Sequence, residues 1–156
     1  MPDGVTGAPE LGRPTDRRPP FKYSALTRVW FSDTDAQGVV YYGRYMPYFD
    51  HARREYHRHL GSPQVEGGEF VMRAMQVEYH APARFDDLVE CFVRVARIGR
   101  TSITYEVAAY RLPDDVLMVT GTQTAVLIDK ATRRPLPIPA SSMSMVTEFE
   151  GHDLRA

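Results

Sequence analysis

The sequence predicts a single α+β domain in which an antiparallel β-sheet wraps around one long α-helix. The chain has 156 residues, about the length of one ordinary domain, and 43% of them are hydrophobic, which is enough to fill one core. One segment repeats apolar residues at helical spacing, and four later segments alternate in the manner of strands. A helix followed by strands that short turns connect is typical of an α+β fold.

The N-terminal part of the chain contains a leader, one strand and the helix. Residues 1–22 are rich in Pro, Gly, Arg and Asp without periodicity, so we expect a flexible leader outside the fold. β-branched and aromatic residues predict a first strand over about 24–32. Apolar residues then recur at steps of three or four from Tyr45 to Leu60, and Gly61 follows as a stop, which predicts the long helix.

Four strands follow the helix, and turn residues separate them. Gly99 lies between the second and third of these strands, and Pro113 begins the turn between the third and fourth. Prolines at 135–139 end the sheet, so the folded domain is predicted to span 23–139. The tail, 140–156, has few apolar anchors, and the sequence leaves open whether it packs on the body or on a partner. The predicted strands cover about 70–80, 88–98, 101–111 and 116–128.

Composition and charge exclude several classes of function. The formal net charge is −1 with a pI near 6.5, so the overall balance indicates no nucleic-acid partner and no anionic membrane surface. No apolar window is long enough to span a bilayer, and the N-terminus lacks the apolar run of a signal peptide. Cys91 is the only cysteine, which excludes an intramolecular disulfide and a multi-cysteine zinc site and favours a reducing, cytoplasmic location.

Two acids lie between the first strand and the helix. Asp33 and Asp35 precede Gly38 in the pattern Asp-x-Asp-x-x-Gly, which resembles the start of an EF-hand calcium loop. That loop needs a further oxygen ligand at its fifth position and a bidentate Glu at its twelfth, where this chain has Gln37 and Arg44. The sequence therefore disfavours calcium.

A plain turn is the simpler alternative for this motif, because Asp readily bonds its own backbone and Gly38 tolerates a positive φ. The continuation from Val39 to Tyr45 is unusually apolar and aromatic for a solvated turn, and it indicates a pocket. An acid that faces the free amides of a helix's first turn is one way to attack a polarised carbonyl.

These residues carry a resemblance to a known family. The stretch from Asp33 to Tyr45, followed by Tyr48 to Glu55, resembles the signature of the 4-hydroxybenzoyl-CoA thioesterase family of hotdog-fold proteins. The segment from Tyr79 to Asp87 resembles that family's second-strand ending and turn, so the resemblance extends from about residue 25 to 139. It implies the hotdog fold and an acyl-CoA thioesterase that needs no cofactor, since coenzyme A is part of the substrate. It also implies an active site between two subunits, with a homodimer as the minimum assembly and a homotetramer as a further option.

The resemblance assigns catalytic roles to individual residues. Asp35 matches the catalytic carboxylate, acting as a general base on water or as a nucleophile, and Asp33 is mainly structural. The thioester carbonyl is expected at the N-terminus of the helix, where the amide of Tyr42 or Gly43 polarises it. Many members have His where this chain has Tyr42 and Asn where it has Arg44, so Asp35 is left with the proton or nucleophile role.

Substrate contacts are expected around this turn and at two arginines further along the chain. Arg100 and Arg134 fall where family members bind the phosphates of coenzyme A, and a solvated arginine is the alternative at each position. Arg44 places a cation beside the helix start, and the alternatives there are a substrate contact and a solvated arginine. The expected substrate-binding residues are Gly38, Tyr41, Arg44, Tyr45, Arg100 and Arg134.

The helix carries a second candidate acid. Asp50 is an alternative to Asp35, because a second hotdog subgroup places its acid on the helix. It also has Arg53 and Arg54 at i+3 and i+4, which favours a solvated ion pair. The histidines of the helix lack the spacing of a metal site, so no metal is predicted.

Acyl-CoA hydrolysis has three rivals at this point. A non-catalytic hotdog protein would bind an acyl thioester without turnover, although the retention of Asp35 and Gly38 weighs against it. The thiol of the substrate is alternatively an acyl carrier protein. A dehydratase of the same fold uses a catalytic His with an acid, and Tyr42 makes that reading less attractive.

Overall fold

Six strands form one antiparallel sheet in the computed structural model, which describes residues 9–155. The order in the sheet is β1-β2-β4-β5-β6-β3, so β1 and β3 are its two edges. No helix within this range is long and apolar enough to cross a membrane. The elements are β1 (Gly12–Arg18), β2 (Phe21–Arg28), α1 (Tyr45–Leu60), β3 (Gly68–Tyr79), β4 (Leu88–Ile98), β5 (Ser102–Leu112), β6 (Val116–Asp129) and α2 (Ser144–Glu150).

The long helix α1 begins and ends at the residues that the apolar spacing predicts. Burying large apolar side chains contributes about 1.5–3 kcal/mol each, so its apolar face fixes the helix against the sheet. The chain leaves the helix at Gly61 with a φ of +86°, which glycine adopts without strain. The buried face, at most 9% exposed, packs on β2 and β4 and includes Tyr45, Phe49, Ala52, Tyr56 and Leu60.

The four strands after the helix are confirmed with shifts of one or two residues at their ends. β4 shows why the alternation was informative: Cys91, Val93 and Val95 are fully buried in the core that includes α1. The first predicted strand starts earlier and stops earlier than expected, because Phe31–Asp33 forms a turn of 3-10 helix. The α+β class with one sheet around one long helix is therefore confirmed.

The prediction of a flexible leader over residues 1–22 is corrected, because Gly12–Arg18 forms β1 and pairs with β2. Its polar and proline residues give no apolar alternation, so the strand has no signal in the sequence. Charged side chains and the backbone ladder hold it in place: Arg17 pairs with the buried Glu90, and Arg18 pairs with Asp115 at 2.7 Å. The beginning of the predicted leader, residues 1–8, lies outside the described residues.

The C-terminal tail packs on the body of the domain. Met143, Val146 and Leu154 are at most 2% exposed, and they belong to the same core as α1. The amide of Ile98 donates to the oxygen of Leu154 at 2.8 Å, which ties the tail to the end of β4. Of the two placements that the sequence left open, the described residues adopt the first.

The sheet has two ends, and α1 begins at one of them. Val40, just before α1, donates its amide to Ala83 at 2.8 Å, and Ala83 lies between the end of β3 and the start of β4. The β4–β5 turn and the end of β6 lie at the opposite end, because Ser102 is paired with Val126. Side chains at the start of α1 therefore share one sheet end with Tyr79, the last residue of β3.

Candidate active site

A tight backbone turn carries the two acids that precede α1. The amide of Asp35 donates to the oxygen of Val39 at 2.9 Å, and the amide of Gly38 donates to the oxygen of Asp35 at 3.0 Å. Gly38 has a φ of +78°, so glycine is the residue that this turn accepts without strain. Just outside the turn, the amide of Tyr41 donates to the oxygen of Asp33 at 2.9 Å. The turn thus fixes both acids beside the start of α1.

The carboxylate of Asp33 is committed to the protein. Its Oδ2 accepts the amide of Trp30 at 2.9 Å and the hydroxyl of Tyr48 at 2.7 Å. Arg44 Nε lies 3.8 Å from Oδ1, and the side chain is only 14% exposed. These contacts tie the turn to α1 and agree with a structural role for Asp33.

The carboxylate of Asp35 is less engaged. Its Oδ1 accepts the amide of Gln37 at 2.8 Å, while Oδ2 accepts no hydrogen bond from the described part of the chain. The residue is half-buried rather than exposed. One oxygen of this carboxylate is therefore oriented by the backbone, and the other is available for a water molecule or a substrate.

The start of α1 offers free backbone donors. A turn of 3-10 helix over Tyr42–Arg44 precedes α1, and the amide of Arg44 donates to the oxygen of Tyr41 at 2.8 Å. The amides of Tyr42 and Gly43 have no acceptor among residues 9–155. Free amides at the positive end of a helix dipole favour a negatively charged oxygen. A Cβ at position 43 would lie 3.1 Å from the Tyr41 ring, so a larger residue at this position would crowd that ring.

Aromatic rings surround these amides. The rings of Tyr41 and Tyr42 lie 4.3 Å apart, and their side chains are 44% and 63% exposed. Tyr79 packs edge-on against Tyr42 and Tyr45, with centroid distances of 6.5 and 5.8 Å. Tyr45 is 2% exposed, and its hydroxyl accepts the amide of Ala83 at 3.2 Å. Within one chain Tyr41 and Tyr42 are accessible to a substrate, whereas Tyr45 is buried and packs against the ring of Tyr79.

The structure does not bring the two predicted phosphate-binding arginines to this turn within one chain. Arg100 lies in the β4–β5 turn and Arg134 follows β6, so both lie at the sheet end opposite to the start of α1. Eleven-residue strands such as β5 separate the two ends by roughly 30 Å, at about 3.3 Å per residue. Both side chains are exposed. Arg44, in contrast, lies beside the site and is 47% exposed.

The other titratable groups of α1 have structural partners. Asp50 pairs with Arg53 at 2.8 Å, which is the solvated arrangement that the sequence offered as its alternative role. The ring of His57 bonds the hydroxyl of Tyr105 at 2.6 Å, and burial together with Arg53 lowers the pKa of His57 to about 4. The described residues contain no group of three His, Cys, Asp or Glu side chains that could hold a metal ion.

Sequence comparison gives this geometry a family context. A family model for the Thioesterase superfamily matches residues 37–118. The chain belongs to the thioesterase superfamily. Its relatives in this superfamily include the protein named acyl-CoA thioester hydrolase YbgC from Escherichia coli, which is 34% identical over 127 residues, 79% of this chain and 92% of the relative.

Solved structures of the superfamily share the fold. A probable thioesterase from Bartonella henselae superposes with a TM-score of 0.66 at 29% identity, covering 74% of this chain and 96% of the other. A thioesterase-superfamily protein from Jannaschia sp. CCS1 superposes with a TM-score of 0.76 at 23% identity, covering 89% of each chain. These superpositions confirm the hotdog fold that the resemblance implies.

Sequence reasoning missed one residue at this candidate site. Tyr79 contacts the start of α1 through its ring and its hydroxyl, whereas the sequence indicates only that it lies at a strand ending. The available signal was its position: it ends β3 in the segment that resembles the family. Its contact with a backbone oxygen leaves no trace in residue spacing.

Proposed function

We propose that this protein is an acyl-CoA thioesterase, which converts an acyl-CoA and water into a carboxylic acid and coenzyme A. The observation that carries this proposal is the pairing of a half-free carboxylate, Asp35, with the unbonded amides of Tyr42 and Gly43 at the start of α1. The activity in the name of the Escherichia coli relative supports the same reaction. Retention of Asp35 favours an enzyme over an acyl-binding protein.

The proposed reaction uses the carboxylate and the amides together. The thioester oxygen accepts an amide of the first turn, and the helix dipole and that hydrogen bond stabilise the negative charge that develops on it. Asp35 either takes a proton from the attacking water or attacks the carbonyl carbon itself to form a mixed anhydride that water then hydrolyses. In both routes the carbon–sulfur bond breaks, the sulfur leaves with its electron pair, and the thiol ends with one proton.

We propose a homodimer in which β3 pairs with β3 of a second copy. β3 is a twelve-residue edge strand, and such long unpaired edges are rarely left open. Three large hydrophobic side chains of this strand are 38%, 43% and 49% exposed, namely Met72, Met75 and Tyr79. Antiparallel pairing of two β3 strands about a two-fold axis would cover the edge and bring part of this surface against the partner.

This assembly would reconcile the arginines with the site. In an antiparallel β3 pair, the Tyr79 end of one chain meets the Gly68 end of the other, and Gly68 pairs with Asp129 at the end of β6. Arg134 of the partner subunit would then lie near the start of α1, and Arg100 of the partner subunit would lie further from the shared edge. Arg100 is further away because it precedes β5, which lies two places from the β3 edge in the strand order.

The decisive experiment is Asp35→Asn, assayed by free thiol release. The substrates are acetyl-, butyryl-, palmitoyl-, benzoyl- and 4-hydroxybenzoyl-CoA, together with the corresponding acyl-carrier-protein thioesters. We expect kcat to fall by about 10²- to 10⁴-fold for the preferred substrate, the usual contribution of a general acid or base. Asp16→Asn is the matched control, because Asp16 is exposed on β1.

Three results would contradict the proposal. If the folded wild-type protein releases thiol from none of these substrates, it is not a thioesterase for them and the acyl-binding reading gains. If Asp35→Asn keeps the wild-type rate, the carboxylate is misassigned, and Asp50→Asn becomes the next variant. If only the carrier-protein thioesters are hydrolysed, the thiol of the substrate belongs to an acyl carrier protein and not to coenzyme A.

The arginines give a separate test of the dimeric site. We expect Arg134→Ala to raise the KM for an acyl-CoA by about 10- to 100-fold, since a charge-assisted contact with a phosphate is worth about 1.5–3 kcal/mol and each 1.4 kcal/mol is a factor of ten. Arg100→Ala should raise KM less, and Arg13→Ala, on the exposed surface of β1, should leave it unchanged. Equal KM values for all three variants would contradict the proposed phosphate contacts.

A further inference from the structure

A single side chain from β3 reaches the backbone at the start of α1. The hydroxyl of Tyr79 donates to the carbonyl oxygen of Tyr42 at 2.8 Å, between residues 37 apart in the sequence. The Tyr79 ring is supported by the buried Tyr45, whose centroid is 5.8 Å away. Burial and the neighbouring Tyr42 raise the pKa of Tyr79, so its hydroxyl keeps its proton and remains a donor at neutral pH.

The bonded oxygen belongs to a peptide group that also carries a free amide. The carbonyl of Tyr42 and the N–H of Gly43 are parts of one planar trans peptide, so fixing the direction of the oxygen fixes the direction of the N–H. The N–H of Tyr42 lies on the other side of the same Cα. Neither amide has an acceptor within the described range. The hydrogen bond from Tyr79 therefore acts on the orientation of the Gly43 donor, which shares a peptide plane with the bonded oxygen.

The same bond has an electronic effect on Gly43. A donor at the carbonyl oxygen draws electron density from the amide and makes its N–H a stronger donor, which is the basis of cooperativity in hydrogen-bond chains. A preorganised and polarised donor stabilises an oxyanion without reorganising during the reaction. This series of hydrogen-bonding groups runs from the Tyr79 hydroxyl through the Tyr42–Gly43 peptide. It ends at the Gly43 N–H, where the thioester oxygen is proposed to bind.

We propose that Tyr79 is a positioning residue for the oxyanion-binding amide of Gly43: its hydroxyl orients the Tyr42–Gly43 peptide and polarises the Gly43 N–H. This inference rests on the proposed function, because it assigns a role within the same site. Tyr79 acts through the backbone of Tyr42 and Gly43 and is not itself a proton donor to the substrate.

The peptide can be observed directly, without any activity. The chain contains only one Tyr–Gly pair, Tyr42–Gly43, so labelling Tyr with ¹³C at the carbonyl and Gly with ¹⁵N gives a single signal in a carbonyl–amide correlation spectrum. In Tyr79→Phe we expect the Tyr42 carbonyl carbon and the Gly43 nitrogen to move upfield, because the carbonyl oxygen loses its donor. Tyr110→Phe is the matched control, since the Tyr110 ring packs against Phe92 and Arg18, away from this peptide. An unmoved signal in Tyr79→Phe would overturn the proposed bond.

Kinetics then test whether the bond matters for the reaction. We expect Tyr79→Phe to lower kcat by about tenfold with little change in KM or thermal midpoint, less than the 10²- to 10³-fold loss of an oxyanion donor itself. Tyr110→Phe should keep the wild-type kcat. A wild-type kcat in Tyr79→Phe would overturn the positioning role, and so would a loss confined to KM or to stability.

These outcomes remain separate from a failure of the proposed function. If the wild-type protein hydrolyses no acyl thioester, the proposed function fails, while the labelled peptide still reports whether Tyr79 fixes the Tyr42–Gly43 group. If the wild-type protein is active and depends on Asp35, the kinetics of Tyr79→Phe decide the positioning role alone. A second variant, Tyr79→Leu, should lose at least as much kcat as Tyr79→Phe, because it lacks both the hydroxyl and the ring that packs against Tyr42 and Tyr45; a wild-type kcat in either overturns the role.

Discussion

The two acids of the turn should separate into a stability residue and an activity residue. In Asp33→Ala the hydroxyl of Tyr48, a residue 5% exposed, loses its acceptor at 2.7 Å, and the amide of Trp30 loses its acceptor at 2.9 Å. A buried donor left without a partner costs about 1–3 kcal/mol, and a bond to a charged group contributes about 1.5–3 kcal/mol. Water can replace the acceptor at the exposed Trp30, so we expect a total loss of about 2–4 kcal/mol.

The matched change Asp35→Ala should behave in the opposite way. Its carboxylate accepts one amide, that of Gln37, in an exposed part of the turn. We expect a loss of only about 0.5–1 kcal/mol in stability, because water can replace the acceptor at the exposed amide of Gln37. Its kcat should nevertheless fall far more than that of Asp33→Ala, measured at a temperature where both variants are folded.

Urea unfolding at one fixed protomer concentration measures the stability side, because assembly makes the transition concentration-dependent. With a slope of about 2 kcal/mol per molar urea, in the middle of the usual range, the loss in Asp33→Ala lowers the midpoint by about 1–2 M. A double-mutant cycle with Tyr48→Phe should give a coupling energy of about 0.5–3 kcal/mol. The reasoning is refuted if Asp33→Ala unfolds with the wild-type midpoint, or if Asp35→Ala is the less stable of the two.

Three further predictions concern buried titratable groups. Burial raises the pKa of Glu150, so the folded state binds this proton more tightly than the unfolded chain; the stability that this group contributes is fully present below about pH 4.5 and is lost as the pH rises through the folded pKa. Glu150→Gln should therefore unfold at higher urea than wild type at pH 8, and the gap should close at pH 4. The lowered pKa of His57, about 4, has the opposite sign: stability falls as the pH drops below 6.5, and an NMR titration should find the ring neutral at pH 5. Cys91 is fully buried and burial raises the pKa of its thiol, so Ellman's reagent should label it only after unfolding.

The parts of the fold that periodicity predicts are those in which one face supplies the apolar residues of the core. α1 contributes one stripe, and β4 contributes the alternate residues Cys91, Val93 and Val95, so apolar spacing reports both elements. β1 could not be predicted, because it is an edge strand whose side chains are largely exposed and whose anchors, such as Arg17 to Glu90, join residues 73 apart. Local composition there resembles a linker, and only the tertiary ladder with β2 makes it a strand.

The candidate site divides in the same way. Asp33, Asp35 and the start of α1 are contiguous, so the motif places them together, and the hydrogen bonds of Asp33 agree with its predicted bracing role. The positions of Tyr79 and the arginines relative to Asp35 depend on which end of the sheet each segment reaches. The local sequence does not show that end. The resemblance indicates Arg100 and Arg134 as candidates, but only the topology shows that in one chain they lie at the opposite end of the sheet from Asp35.

This separation makes assembly part of the proposed substrate binding. A single chain contains the carboxylate of Asp35 and the free amides of the first turn that are proposed to act on the thioester. The cations proposed to bind the phosphates lie roughly 30 Å away, at the other end of the strands. Pairing at β3 would bring a second copy's arginines toward the first copy's amides, because antiparallel strands place opposite ends side by side. Dissociation of the dimer should therefore weaken acyl-CoA binding through KM before it removes the chemistry.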